Sequence, residues 1–186
     1  KRFITCSMMT QEDRYSLVMF NEESVLHVSC APAFEAVAKL ESLRPSAQKQ
    51  TLYSMGVRGI EAAIRRDQTH LPAYVVFLSD GEPTDPQSYL KDFQVLRKKR
   101  PKDQLKIYTI GFGESARVNS PEDEFTYLQQ LAALGNGHFQ RCGASLDSLT
   151  GAFTAVTTTI SQVRSSSRKS SGARSSRPAT AEQPPE

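Results

Sequence analysis

The sequence predicts an α/β fold: a doubly wound, mainly parallel sheet with helices on both faces. Three observations carry this. Strand-length apolar runs alternate with stretches of helical periodicity along most of the chain, the pattern of successive βαβ units. The run Ala73-Tyr-Val-Val-Phe-Leu-Ser79 is apolar at nearly every position, as expected of a parallel strand covered on both faces, and Leu105–Ile110 reads as another buried strand. The 186 residues, 38% of them hydrophobic and 23% charged, suffice for one core-bearing domain and not for two of ordinary size.

Taken in order, Phe3, Ile4 and Met8 fit the end of a helix, and Asp13-Arg14 introduces a strand over Tyr15–Phe20. Ser24–Cys30 alternates around Leu26 and Val28 and reads as an edge-like strand. Pro32 opens a helix with Phe34, Val37, Ala38 and Glu41 at helical spacing, and Pro45 closes it. Tyr53, Val57, Ile60 and Ile64 form the stripe of the next helix. Ala73–Ser79 is expected at the centre of the sheet. Leu90, Phe93 and Arg97 mark a helix ending in the basic run Arg97–Lys102, whose cations complement a solvated helix C-terminus. The Leu105–Ile110 strand follows, then a helix with Phe125, Leu128 and Ala132 that stops at Gly135-Asn-Gly137. A short strand, His138–Cys142, leads to a last helix with Leu146, Leu149, Phe153, Val156 and Ile160 on one face. From Val163 the chain turns to serine, arginine and proline, too poor in apolar side chains to offset the entropy of ordering them, so residues 163–186 are expected to be a disordered tail after a domain of residues 1–162.

The net charge of +3 resides in that tail, which holds five basic and two acidic side chains, whereas residues 1–162 balance 18 of each. A nucleic-acid partner for the folded part is therefore not indicated. The tail reads as a linker whose serines, Ser165 to Ser176, are candidate phosphate acceptors and whose arginines suit RNA or acidic lipid. No apolar run approaches the roughly 18–20 residues of a membrane span, and the N-terminus lacks signal-peptide zones. Cys6, Cys30 and Cys142 are too widely spaced for a zinc knuckle and odd in number, and no Asn-x-Ser/Thr acceptor occurs. These features point to a cytoplasmic protein, with nuclear and extracellular locations left open. The first residue is Lys1, which suggests an interior fragment or a processed product.

Ligands of open parallel sheets bind beyond the C-terminal strand ends. Two loops there carry oxygen chemistry. Ser79-Asp80-Gly81-Glu82-Pro83-Thr84-Asp85 puts a carboxylate at the mouth of a buried strand, suited to a hard cation such as Mg²⁺, or to capping a turn. Gln48-Lys-Gln-Thr51-Leu-Tyr-Ser-Met-Gly56 precedes the Val57 helix, so Thr51 is either a helix N-cap or a hydroxyl ligand.

Asp13-Arg-Tyr-Ser-Leu-Val-Met-Phe-Asn21, Thr51 before a helix containing Gly56, Val75-Val-Phe-Leu-Ser-Asp-Gly81, Ile107-Tyr-Thr-Ile-Gly-Phe-Gly113 and Leu128 to Phe139 with Gly135 and Gly137 together resemble successive blocks of a von Willebrand factor A domain over roughly residues 1–160. The resemblance implies a doubly wound, Rossmann-like sheet with one antiparallel edge strand. It also implies a metal-ion-dependent adhesion site, where Mg²⁺ or Mn²⁺ is held by an Asp-x-Ser-x-Ser motif, a threonine and an aspartate, and a partner protein's carboxylate completes the shell. Asp80 matches the aspartate and Thr51 the threonine, although the family's preceding glycine is Gln50 here. The Asp-x-Ser-x-Ser motif has no counterpart; Cys6-Ser-Met-Met9 offers one hydroxyl and no carboxylate. The domain thus reads as N-terminally truncated, or as one that has lost its metal motif. The absent first strand would lie between the Tyr15–Phe20 and Ala73–Ser79 strands, and metal binding would be weak.

The resulting expectation is a protein-binding module of a larger protein, in which fused domains would follow the family's habit, and not an enzyme. The alternative is a Mg²⁺-dependent hydrolase using Asp80 and Asp85, although none of His27, His70 or His138 lies near a candidate nucleophile in sequence. Gly111-Phe-Gly-Glu-Ser-Ala116 matches a dinucleotide fingerprint in spacing, but Asn119-Ser-Pro121 stops a helix where that motif needs one.

Overall fold

The computed structural model describes residues 13–44, 50–69, 71–100, 104–113 and 125–172. Its elements are β1 (Tyr15–Phe20), β2 (Ser24–Ala31), α1 (Ala33–Ser42), α2 (Tyr53–Arg66), β3 (Ala73–Ser79), α3 (Ser88–Lys99), β4 (Leu105–Phe112), α4 (Thr126–Leu134), β5 (Phe139–Cys142) and α5 (Leu146–Gly172). Their order is the βα alternation that the apolar periods predict. The helix expected at Phe3–Met8, the stop at Pro45 and residues 114–116 of the glycine fingerprint lie outside the described residues.

The strands form two groups. β3, β4 and β5 pair in parallel in that order, with Leu78 opposite Ile110 and Thr109 opposite Phe139. β1 and β2 form an antiparallel hairpin with Val18 opposite Leu26, and an irregularity between Tyr15 and Leu17 accompanies the left-handed φ of 51° at Cys30. Among the described residues no ladder joins β1 to β3. β3, expected at the centre, is therefore an edge of the described parallel sheet, and β4 is its central strand. A run apolar on both faces reports coverage by helices above and below, and says nothing about neighbours in the plane.

Helices cover both faces. On the first, α2, α3 and α4 enclose one core that includes Tyr53, Val57, Phe77, Tyr89, Phe93 and Leu128. This core bridges the two strand groups: the Phe20 and Phe77 rings lie 4.8 Å apart by centroid, and Tyr53 meets both. Gly56 of α2 makes the approach possible, since a β-carbon there would stand 2.6 Å from the Phe77 ring. On the second face the core is divided. α5 packs through Ala152, Val156 and Ile160 on Tyr108 and Ile110, while α1 packs through Ala36 on Val28, with Leu17 alongside.

α5 runs to Gly172, beyond the boundary expected at Gln162. The apolar stripe does end at Ile160, but the helix continues over polar residues. Ser161, Ser165 and Ser166 donate back to the carbonyls of Thr157, Ser161 and Gln162 at 2.9–3.0 Å. Arg164 donates two hydrogen bonds to the Asp13 carboxylate, at 2.7 and 2.8 Å. Residues 173–186 of the expected tail lie outside the described residues.

Candidate functional site

The C-terminal ends of β1 and β3 share one rim with the N-terminus of α2, and backbone and side-chain bonds weld the loops there into a unit. The Leu52 N–H donates to the Asn21 carbonyl at 3.1 Å, tying the end of β1 to the start of α2. Thr84 donates from its N–H and its hydroxyl to the Thr51 carbonyl, at 3.0 and 3.2 Å. The Tyr53 hydroxyl donates to the Gly81 carbonyl at 2.7 Å. Burial above all pushes the Tyr53 phenol well above its usual value, with the charges of Tyr89, Asp80 and Asp85 acting in the same sense, so it stays protonated and able to donate.

The structure brings Thr51 and Asp80 to this rim, and separates Asp85 from them in role. Asp85 accepts from the N–H of Tyr53 at 2.8 Å and of Ser54 at 3.0 Å, one to each carboxylate oxygen. It is the cap of α2, although it stands some thirty residues away, and it sits where the helix dipole favours negative charge. Leu52 occupies the N-cap position itself and provides no side-chain cap. Thr51 is thus not the cap of α2. A carboxylate occupied in this way is a poor second ligand for the hydrolase reading that paired Asp85 with Asp80. No local pattern announces this cap, because capping motifs are read within one turn of the helix.

Asp80 is exposed at the end of β3, and among the described residues no hydrogen bond or ion pair engages its carboxylate or the Thr51 hydroxyl. Both oxygens are consequently open to a ligand. As a donor set they are a hydroxyl and a carboxylate, the hard oxygen chemistry that Mg²⁺ or Mn²⁺ takes, but two ligands leave most of an octahedral shell to water or a partner. No group of three or more His, Cys, Asp or Glu side chains among the described residues could hold a metal ion. The residues present therefore fit a partial site.

The other motifs have structural uses. Gly111 leaves room for Phe125, whose ring would lie 2.6 Å from a β-carbon there, which accounts for the first glycine of the fingerprint by packing. Arg97, expected on a solvated helix end, instead donates to the carbonyls of Leu134 at 3.1 Å and Leu105 at 3.0 Å, joining α3 to the end of α4 and the start of β4. Its neighbour in the run, Lys99, pairs with Glu61. His138 precedes β5 beside Tyr108, level with the middle of β4, and His27 lies on β2. His70 lies outside the described residues.

No protein-family model and no curated protein sequence matches the chain. Solved structures do. The conserved hypothetical protein BatB from Bacteroides thetaiotaomicron superposes with a TM-score of 0.65 at 17% identity, over 88% of this chain and 84% of that one. An aerotolerance-related membrane protein from Bacteroides fragilis gives 0.62 at 18%, over 87% and 86%. Proximal thread matrix protein 1 of the mussel byssus gives 0.62 at 18%, over 84% of this chain; the present chain spans only 38% of that protein. At such identities the likeness concerns the fold, which is α/β and von Willebrand factor A-like. No helix among the described residues is long and apolar enough to cross a membrane.

Proposed function

We propose that this domain is a protein-interaction module of the von Willebrand factor A type, which grips a partner protein at the C-terminal rim of its sheet through a divalent cation. Asp80 and Thr51 hold Mg²⁺ or Mn²⁺, and a carboxylate of the partner contributes a further oxygen. When bound, the cation supplies a positive charge that makes an acidic side chain welcome at an otherwise acidic rim. The observation that supports this is the welding of the Thr51 and Asp80 loops through Thr84, Tyr53 and Asp85, which leaves the two proposed ligands unengaged on a rigid frame. A rigid frame lowers the entropy lost on ligation. An Asp-x-Ser-x-Ser strand, if the protein has one, belongs between β1 and β3, where the described residues form no ladder. The reading is of a binding module and not of an enzyme, in the cytoplasm.

Titration with Mg²⁺, with and without a glutamate-bearing peptide, tests it. Residues 1–186 alone should bind Mg²⁺ only weakly, since two protein oxygens cannot replace much of its tightly held water. Peptide binding should require Mg²⁺ or Mn²⁺, be abolished by chelation, and be lost in Asp80→Ala. Peptide binding that persists in the chelator, or in Asp80→Ala with the cation present, would sink the proposed site. Micromolar Mg²⁺ affinity without peptide would show that ligands beyond Thr51 and Asp80 are already in place.

A further inference from the structure

α2 and α3 lie side by side on the first face and leave between them an open groove of about 490 Å³. Its floor is apolar: Ala62 is exposed, and Val95, 48% exposed, is the only exposed large apolar side chain of the two helices. Its walls are cationic. Arg58, Arg65 and Arg66 line it from α2, and Lys99 of α3 pairs with its Glu61.

Against these four cations stand two carboxylates, and both are already engaged. Glu61 accepts from Lys99 at 2.6 Å and from Arg65 at 2.9 Å on the same oxygen, and Asp92 accepts from Arg58 Nε at 2.8 Å. Arg58 uses only Nε in that bond, so its Nη groups keep their donors, and no hydrogen bond or ion pair engages Arg66 among the described residues. Lys91 and Lys98, four residues before Val95 and three after it, are exposed on the same side of α3 and extend the positive field. Residues 1–162 balance their charges as a whole, yet they carry this cationic surface locally.

We infer that this groove docks an acidic amphipathic helix of a partner protein, as a second binding surface that needs no divalent cation. Arg58 stands more than a turn into α2, so the groove is separate from the rim that holds Thr51 and Asp80. The lined stretch covers positions 58 to 66 of α2 and 92 to 99 of α3, about 10–12 Å of helix, which two turns of a docked helix match. An apolar side chain of that helix covers Ala62 and Val95 and removes their surface from water. Glutamates a turn to either side meet Arg66 and the Nη groups of Arg58, whose forks suit a carboxylate. Charge complementarity fixes the sign of the occupant, and the floor fixes its class. A phosphate-dense polyanion gains nothing from Val95 and meets Glu61 and Asp92 in the same groove. A purely apolar helix would strip water from Arg58 and Arg66 without replacing it. An acidic helix with an apolar stripe satisfies walls and floor together.

The experiment follows the fluorescence anisotropy of a labelled helical peptide, a leucine stripe flanked by glutamates, as the full chain is added at low salt with EDTA present to keep the rim free of divalent cations. Saturable one-to-one binding is expected, weakening as salt is raised. Glutamine in place of the peptide's glutamates, or serine in place of its leucines, should weaken binding about tenfold or more. Arg66→Glu and Val95→Ser, both at exposed positions, should weaken it about three- to tenfold while keeping the urea midpoint of the parent. Absence of saturable binding, a glutamine or serine peptide that binds as well as the original, or full affinity in Arg66→Glu would each overturn the inference. So would tighter binding of a duplex RNA or of phosphatidylserine vesicles that is indifferent to Val95→Ser, which would make the surface a site for polyanions.

Discussion

β3 and β4 are neighbours of nearly equal length and similar composition, yet they live in different surroundings. Leu105, Ile107, Tyr108, Thr109 and Ile110 of β4 are buried, whereas in β3 only Phe77 and Ser79 are, and Leu78 is 39% exposed. β4 has a strand on each side; β3 has β4 on one side and no described ladder on the other. Two strands that periodicity cannot tell apart thus differ in the one respect that period-2 patterning does not encode, which is the number of in-plane neighbours. The pair Leu78 and Ile110, directly opposite in register, isolates that difference.

Truncation at that register position should produce the largest effect. Ile110→Ala empties a fully buried site and should cost about 2–5 kcal/mol. Leu78→Ala, at the same height on the same face, should cost below about 1 kcal/mol. Urea melts of the two variants would check this through their midpoints at constant slope. Near-equal losses would mean that Leu78 is covered in solution and that the edge of β3 is not open, and the two strands would then not differ in their surroundings.

The same limit explains what was and was not legible in the amino-acid sequence. Element types and the meeting of the loops that carry Thr51 and Asp80 followed from local patterns: the apolar runs, the helical stripe of α2, and the loop at the mouth of β3; the pairing of Asp80 with Thr51 as ligands rests on the family resemblance. Three features had no local signature. Asp85 caps α2 from another loop, Arg97 ties α3 to the carbonyl ends of two other elements, and Arg164 reaches Asp13 across nearly the whole chain. Each is a single polar contact between distant segments, and a single contact generates no period. The helical extension of α5 past Gln162 was missed for the same reason, because the tie made there is an ion pair and not an apolar stripe.

A middle-sized effect probes how far the open side of β3 depends on its loop. Asp85→Ala removes the distant cap of α2 and leaves the Tyr53 and Ser54 N–H groups without their acceptor, at a cost of about 1–2 kcal/mol. Because the same carboxylate helps hold the Thr51 and Asp80 loops together, cation-dependent peptide binding should weaken with it. Asp85→Asn, which retains one acceptor oxygen, should recover part of the stability. If Asp85→Ala melts like the parent, the cap has no weight, and rigidity of the rim rests on the Thr84 and Tyr53 bonds alone.

The smallest effect comes from the first face, where a continuous core already joins the two strand groups. Glu61 of α2 accepts from Lys99 of α3 at 2.6 Å and from Arg65 at 2.9 Å. Those hydrogen bonds, Lys99's foremost, hold its carboxyl below the ordinary value of 4.5. A carboxyl depressed in the folded state contributes stability that is present above its unfolded value and disappears as the pH falls through the folded one. The contribution should therefore be complete at neutral pH and fade below about pH 4.5, in the acid range only. Lys99 and Arg65 are 56% and 71% exposed, so solvent and salt screen the interaction, and the buried core that holds Val57 and Phe93 remains when it is gone. Urea midpoints of the parent and of Glu61→Gln should differ slightly at pH 7 and low salt, and converge both in acid and in high salt. A difference that survives acidification would assign the loss to packing around residue 61 instead of to its charge, and a difference larger than that of Asp85→Ala would mean that the α2–α3 contact, not the shared core, holds the first face together.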